Sequence, residues 1–133
     1  MKLRPAGIED IFLLYRWAND PVVRKNSFNP NYIKIGDHIN WFTLKLKDDD
    51  VRIYIAHEDG NDIGQIRFDV EDGVAVIDVH VREGMRGKGY GPRIIKKGVK
   101  RFFDDYGKIE VSAVIKDDNI RSQRAFAKAG FRE

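Results

Sequence analysis

Between residues 51 and 81 the chain alternates apolar and polar side chains three times in succession. Val51-Arg52-Ile53-Tyr54-Ile55-Ala56-His57 has period two, breaks at Glu58-Asp59-Gly60-Asn61, and the pattern resumes from Ile63 to Val70. A second break at Glu71-Asp72-Gly73 leads into Val74-Ala75-Val76-Ile77-Asp78-Val79-His80-Val81, rich in β-branched residues. Period-two runs joined by short Asp-Gly turns are consecutive antiparallel strands, so this stretch folds as a β-meander.

The flanks have the helical period instead. Apolar residues at 8, 11, 12, 14, 15 and 18 share one helical face, giving a first helix that ends near Asn19-Asp20-Pro21. Residues 24 to 35 read as an irregular loop, and Ile39, Phe42, Leu44 and Leu46 predict a second, shorter helix within 37 to 47. Beyond the meander, Ile94, Ile95, Val99, Phe102 and Phe103 predict a helix from near Pro92 to Asp105, with the proline in its first turn. Ile109 to Ile115 is a strand, and Asp117-Asp118-Asn119 offers caps for a last helix, residues 120 to 129, stopped by Gly130. With a short strand at Lys2-Leu3-Arg4 in front, the order α-α-β-β-β-α-β-α is an α/β (α+β) arrangement. At 133 residues the expectation is one domain.

Composition removes several classes of function. No apolar run approaches the roughly 20 residues of a membrane span, and the first residues lack a signal-peptide core, so the expected location is cytoplasmic. Without cysteine there is no disulfide, thiolate metal site or cysteine nucleophile, and His38, His57 and His80 lack metal-ligand spacing, so no metal is expected. A net charge of +3 makes a weak case for nucleic acid. The charge is nevertheless concentrated: Arg86, Lys88, Arg93, Lys96, Lys97, Lys100 and Arg101 occur between Gly84 and Phe103 with no acidic residue among them. For the three lysines of the helix, a solvated face is sufficient explanation.

Within that basic stretch, Met85-Arg86-Gly87-Lys88-Gly89-Tyr90-Gly91-Pro92 joins a strand to a helix. Gly87, Gly89 and Gly91 permit positive φ and close backbone approach, so successive N–H groups can point at one anion, and the helix N-terminus adds its dipole. The segment fits a phosphate or pyrophosphate, with Arg86 and Lys88 as further cations. A Walker loop fails because Gly89, not Ser or Thr, follows Gly87-Lys88. A dinucleotide fingerprint fails on its G-x-G-x-G spacing and on the meander before it. A glycine-rich turn with incidental basic residues is the plain alternative.

About thirty residues on comes Asn119-Ile120-Arg121-Ser122-Gln123-Arg124-Ala125-Phe126-Ala127-Lys128-Ala129-Gly130-Phe131. Taken with the glycine segment, the sequence resembles the GNAT acetyltransferases, whose motif A reads Q/R-x-x-G-x-G/A and motif B N-x-x-S/A-x-x-x-Y/F-x-x-x-G-F. Arg86, Gly89 and Gly91 match the first; Asn119, Ser122, Phe126, Gly130 and Phe131 match the second. The resemblance covers residue 50 to the end and implies a central, mostly antiparallel mixed sheet with helices on both faces. Splayed strands would form the acetyl-coenzyme A cleft. It also implies acetyl-CoA as donor, its pyrophosphate held by the backbone of Arg86, Gly87, Lys88, Gly89, Tyr90 and Gly91. Its pantetheine would lie along Val79 and Val81, with Asn119, Ser122 and Phe126 lining the cleft.

The resemblance implies N-acetyltransfer by direct attack of an amine on the thioester, which needs a base for the ammonium proton and an acid for the thiolate. Asp78 and His80 on the strand before the loop are candidates for the base, with Glu83, Glu110 and Ser112 behind them; each also reads as an ordinary strand or surface position. Many family members carry tyrosine as the acid where this chain has Phe126, which leaves Ser122, Tyr90 or water. The Val79 N–H is placed to polarise the carbonyl. Trp17-Ala18-Asn19-Asp20, Val23-Arg24, Ser27-Phe28 and His38-Ile39-Asn40-Trp41-Phe42 look like the branch that acetylates nucleotide-linked amino sugars and the related protein N-terminal branch, which makes Arg24, Phe28 and His38 acceptor candidates. Family members usually continue past Gly-Phe into further strands. An end at Glu133 therefore implies a domain lacking the last strands, completed by fusion to another domain or by a homodimer partner at the open sheet edge. A non-catalytic acyl-CoA-binding module is the competing reading.

Overall fold

The computed structural model describes residues Met1–Glu133. Five strands form one sheet in chain order: β1 (Lys2–Pro5), β2 (Val51–Glu58), β3 (Asn61–Glu71), β4 (Val74–Val81) and β5 (Glu110–Ser112). The first four are antiparallel neighbours, whereas β5 runs parallel to β4. Both meander turns are two-residue loops with positive φ at each position, Asp59-Gly60 (51° and 80°) and Asp72-Gly73 (51° and 79°). This is the primed turn geometry whose twist matches the strands, and it fixes their register without a longer loop. Gly64 marks a close approach: a Cβ there would collide with the His80 carbonyl of the paired strand.

Helices α1 (Ile11–Ala18), α2 (Pro21–Lys25) and α3 (Ile35–Lys47) precede the meander; α4 (Tyr90–Asp105) and α5 (Ile120–Lys128) follow the glycine segment and β5. Each set buries one face of the sheet. Ile11, Leu14, Trp17 and Phe42 pack over Val51, Ile53 and Ile55. Ile94, Ile95, Phe102 and Phe126 pack on the other side over Tyr54, Ile66, Phe68 and Ile77. There Phe68 and Phe102 stack with centroids 4.4 Å apart, and Gly98 lets α4 approach so closely that a Cβ would lie 2.7 Å from Ile66 Cδ1. No helix is long and apolar enough to cross a membrane.

Four elements differ from the sequence expectation. The first helix begins as a separate 3-10 turn, Ile8–Asp10, because the buried Asp10 carboxylate folds back to accept from the Gly7 N–H and, at 2.8 Å twice, from the Arg4 guanidinium. Asp20-Pro21 ends α1 and also starts α2, which the loop expectation missed: Asp20 Oδ1 accepts from the Val22 N–H and Pro21 occupies the first turn. Helix α3 has 13 residues against 8 in α1, so the second helix is the longer. Strand β5 has three residues, since Ala113 to Ile115 turn away from β4 to line a cavity.

Candidate functional site

That departure creates the principal cleft. The β4–β5 ladder stops at Val76 and Ser112, so Ile77–Val81 have no strand partner on that edge. The opening continues into a cavity of about 850 Å³ walled by β4, the glycine segment, α5 and the α2 region. Val79, Val81, Arg86, Gly89, Ser122 and Phe126 all line it, as do Gly87, Tyr90, Gly91 and Asn119. Residues 30 or more apart in the chain thus meet at one place.

At the cavity's end Gly87 and Gly89 have φ of 76° and 82°, in the region that suits glycine, as does Gly84 just before the segment at 86°, whereas Gly91 lies within α4 without a positive φ. The backbone N–H groups of Arg86 through Gly89 donate to no backbone acceptor. They adjoin the free N–H groups of the first turn of α4, a helix of 16 residues, so the loop offers donors and a positive dipole to an anion. Lys88 is exposed. Arg86 is drawn the other way, its Nη2 3.2 Å from Asp20 Oδ2, which ties the loop to the α1–α2 turn. Tyr90 lies under the Arg93 guanidinium, 5.6 Å from its ring centroid. Further along α4 the basic run is mostly spent on structure: Arg93 bonds Glu58, Lys97 the Met1 carbonyl, and Arg101 both Asp105 and the Leu3 carbonyl.

On the far wall, Asn119 caps α5 by accepting from the Ser122 N–H at 3.2 Å, and its Nδ2 donates to Ser122 Oγ at 3.0 Å. The cap and the cavity wall are one arrangement. Ser122 keeps its own hydroxyl proton available. Phe126 is buried and meets Phe131 edge-on at 5.1 Å, a packing position with no proton to give.

Asp78 and His80 also line the cavity, their side chains leaving β4 on the face that packs against α1. Asp78 keeps 51% of its side chain exposed, accepts from Gln65 Nε2 at 3.0 Å and lies 3.6 Å from Arg67. The His80 ring meets Trp17 edge-on at 5.8 Å; its Nε2 is buried without a partner. Burial, with Arg67 and Arg86 nearby, outweighs the Asp78 and Asp20 carboxylates and pushes its pKa down to about 4, so the ring is neutral at ordinary pH. Of the other base candidates, Glu83 and Glu110 are exposed and Ser112 pairs with Val76 in the sheet.

The three acceptor candidates do not meet. Phe28 is 69% exposed. Arg24 is occupied, donating to the Ala18 and Asn29 carbonyls and to Ser27 Oγ, and so shapes the loop after α2. His38 corrects the expectation of a ligand contact: it is 3% exposed, stacked on Phe42 at 5.8 Å, and its Nε2 bonds the Ile11 carbonyl at 2.8 Å. Spacing alone could not tell a core-facing histidine from a solvent-facing one. Sequence reading also passed over Gln65, Arg67 and Arg82, although their alternation with the apolar residues of β3 and β4 puts them on the Asp78–His80 face.

Residues 1–132 match the family model described as the acetyltransferase (GNAT) domain. No curated protein matches the chain. Among solved structures, the chain is similar to the aminoglycoside acetyltransferase AAC(6')-Ib in complex with coenzyme A and kanamycin, at 25% identity and a TM-score of 0.84, over 98% of this chain and 83% of that one. It is similar also to spermidine N-acetyltransferase from Vibrio cholerae in complex with CoA and spermine (15% identity, TM-score 0.88, 99% and 80% covered). A domain from Methanocaldococcus jannaschii is a third (20% identity, TM-score 0.84, 99% and 88% covered).

Proposed function

Because the chain belongs to the GNAT acetyltransferase family, whose members use acetyl-CoA, we propose that this N-acetyltransferase acetylates the primary amine of a small molecule across the β4–β5 cleft. The observation that carries this reading is the unpaired edge of β4 beyond Val76, opening onto a cavity whose end is lined with free backbone donors. The residues present fit the donor: the N–H groups of Arg86 to Gly91, with the α4 dipole, hold the pyrophosphate, and the edge around Val79 and Val81 takes the pantetheine amide as a neighbouring strand would. Acetyl-CoA supplies the activated acyl group.

The remaining work falls to side chains on either wall. His80 holds a proton poorly at a pKa of about 4, so its partnerless Nε2 accepts an N–H of the amine and orients it, while the exposed Asp78 passes the displaced proton to water. The Val79 N–H polarises the carbonyl. Ser122 lines the cavity with its hydroxyl proton unspent and is the acid for the sulfur, and a thiolate whose thiol has a pKa of about 8.5 also leaves unaided. Phe126 shapes the cavity only.

A small acceptor is supported by the kanamycin and spermine in the similar structures. The nucleotide-linked amino sugar suggested by the motifs of α1 and α3 has no such support and enters the test as one amine of a panel. One cytoplasmic catalytic domain is the simplest organisation consistent with this reading. Calorimetric titration of acetyl-CoA, paired with thiol release over kanamycin, spermine, amino acids and a nucleotide-linked amino sugar, tests it. Micromolar binding lost in Gly89→Glu, which puts a carboxylate and a strained φ into the loop, together with turnover of one amine class, supports the reading. Binding without turnover of any amine leaves a coenzyme-binding module, and no binding overturns the donor site.

A further inference from the structure

A second pocket, of about 380 Å³, lies between the end of α1 and the end of β4, joined to the cleft wall by the Asp20–Arg86 ion pair. Its lining is Arg16, Trp17, Asn19, Asp20, Pro21, Arg82 and Glu83, mostly polar side chains. Arg82 continues the row of Asp78 and His80 along β4: its N–H still bonds Ile63 across the sheet, and two residues of strand separate it from His80 by about 7 Å.

The charges here are not balanced within the chain. Arg82 Nε is buried with no hydrogen-bond partner, and neither Arg82 nor Arg16 joins an ion pair. A guanidinium desolvated at Nε and left unpaired costs free energy that an oxyanion recovers, because the Nε and Nη edge presents two parallel donors. Two carboxylates share the lining. Asp20 is already matched by Arg86 and by the Val22 N–H, and Glu83 is exposed and pairs with neither guanidinium.

We propose that this pocket is an oxyanion subsite for the acceptor, in which Arg82, assisted by Arg16, binds a carboxylate or phosphate carried by the amine that His80 orients. The inference rests on the acetyltransferase reading and narrows its substrate class to small acidic amines: amino acids or aminoalkyl phosphates.

The test is thiol release at saturating acetyl-CoA with two matched pairs, glycine against glycinamide and phosphoethanolamine against ethanolamine. The native chain is expected to favour the anionic member of at least one pair by on the order of tenfold or more in kcat/KM. The favoured pair tells carboxylate from phosphate. Arg82→Gln is expected to bring that ratio toward one, with Arg82→Lys between; a merely structural loss would lower both members alike and leave the ratio in place. No preference in the native chain, an unmoved ratio, or a defect confined to the KM for acetyl-CoA overturns the proposal. A readout independent of turnover is the Trp17 indole N–H resonance, titrated with acetate and with inorganic phosphate at constant ionic strength. A saturable shift that Arg82→Gln abolishes supports the subsite even if no amine is acetylated, and no shift with either anion counts against it.

Discussion

Alternate residues of the same strands build the two faces of the meander, and the faces have opposite character. Toward α4 and α5, Tyr54, Ile66, Phe68, Ala75 and Ile77 are buried against aromatic and aliphatic side chains. Toward α1 and α3 only β2 is apolar; β3 and β4 present Gln65, Arg67, Asp69, Asp78 and His80, cross-linked by short polar bonds and lidded in part by Trp41, 4.9 Å from the Arg67 guanidinium. The difference shows a division of labour. A dry face packed at interior density holds the strands still, and the pleat transfers that rigidity to the polar groups on the other side.

Substitutions in the dry layer carry the largest expected cost. Phe102 is fully buried between Phe68 and Tyr106, so Phe102→Ala is expected to cost about 4 kcal/mol of folding stability, seen as a drop in the urea midpoint. A loss under about 1 kcal/mol would mean that the stack is not what holds α4 to the sheet. On the polar side, Arg67 bonds Asp69 at 2.7 Å and retains 23% side-chain exposure. Arg67→Ala leaves Asp78 without its cation and Asp69 with Lys45 alone, and should cost about 2 kcal/mol, less than the full penalty for breaking a buried pair. Raised salt should restore part of it, whereas salt should not rescue Phe102→Ala.

His80 sharpens the contrast through pH. Its folded pKa of about 4 lies below the ordinary value of 6.5, so the unfolded chain takes up the proton first. The stability that depends on its neutrality is whole above about pH 6.5 and lost as pH falls through 4. In His80→Gln the decline of unfolding free energy between pH 6.5 and 4 should become shallower, measured by urea denaturation at several pH values. An unchanged slope would falsify the burial of this ring.

The dry face was largely legible in advance. Period-two runs and Asp-Gly turns located β2, β3 and β4 within a residue or two, and the glycine segment and the Asn119 cap stand where spacing put them. Elements decided by tertiary competition were not. Ala113-Val114-Ile115 has the composition of a strand, but the sheet abandons it where the cleft opens. Asp20-Pro21 is a stop and a start at once, and only the cap geometry shows the second role. Residue type and spacing singled out the loop, Asp78, His80 and Ser122, which the fold brings to the lining of one cavity. They gave no sign that Arg82 Nε is buried without a partner or that His38 is in the core, because what a polar side chain faces is settled by its tertiary neighbours, not along the chain.

The bond from Arg101 to the Leu3 carbonyl joins residues 98 positions apart. A ribosome extends a chain at roughly 5 to 20 residues per second, so several seconds separate the emergence of those two partners. Strand β1 can pair with β2 well before that, yet its clasp by α4 must wait until the helix that follows the glycine loop has been made. The first strand to be synthesised is thus among the last to be secured, and its clasp closes after the glycine loop has been made.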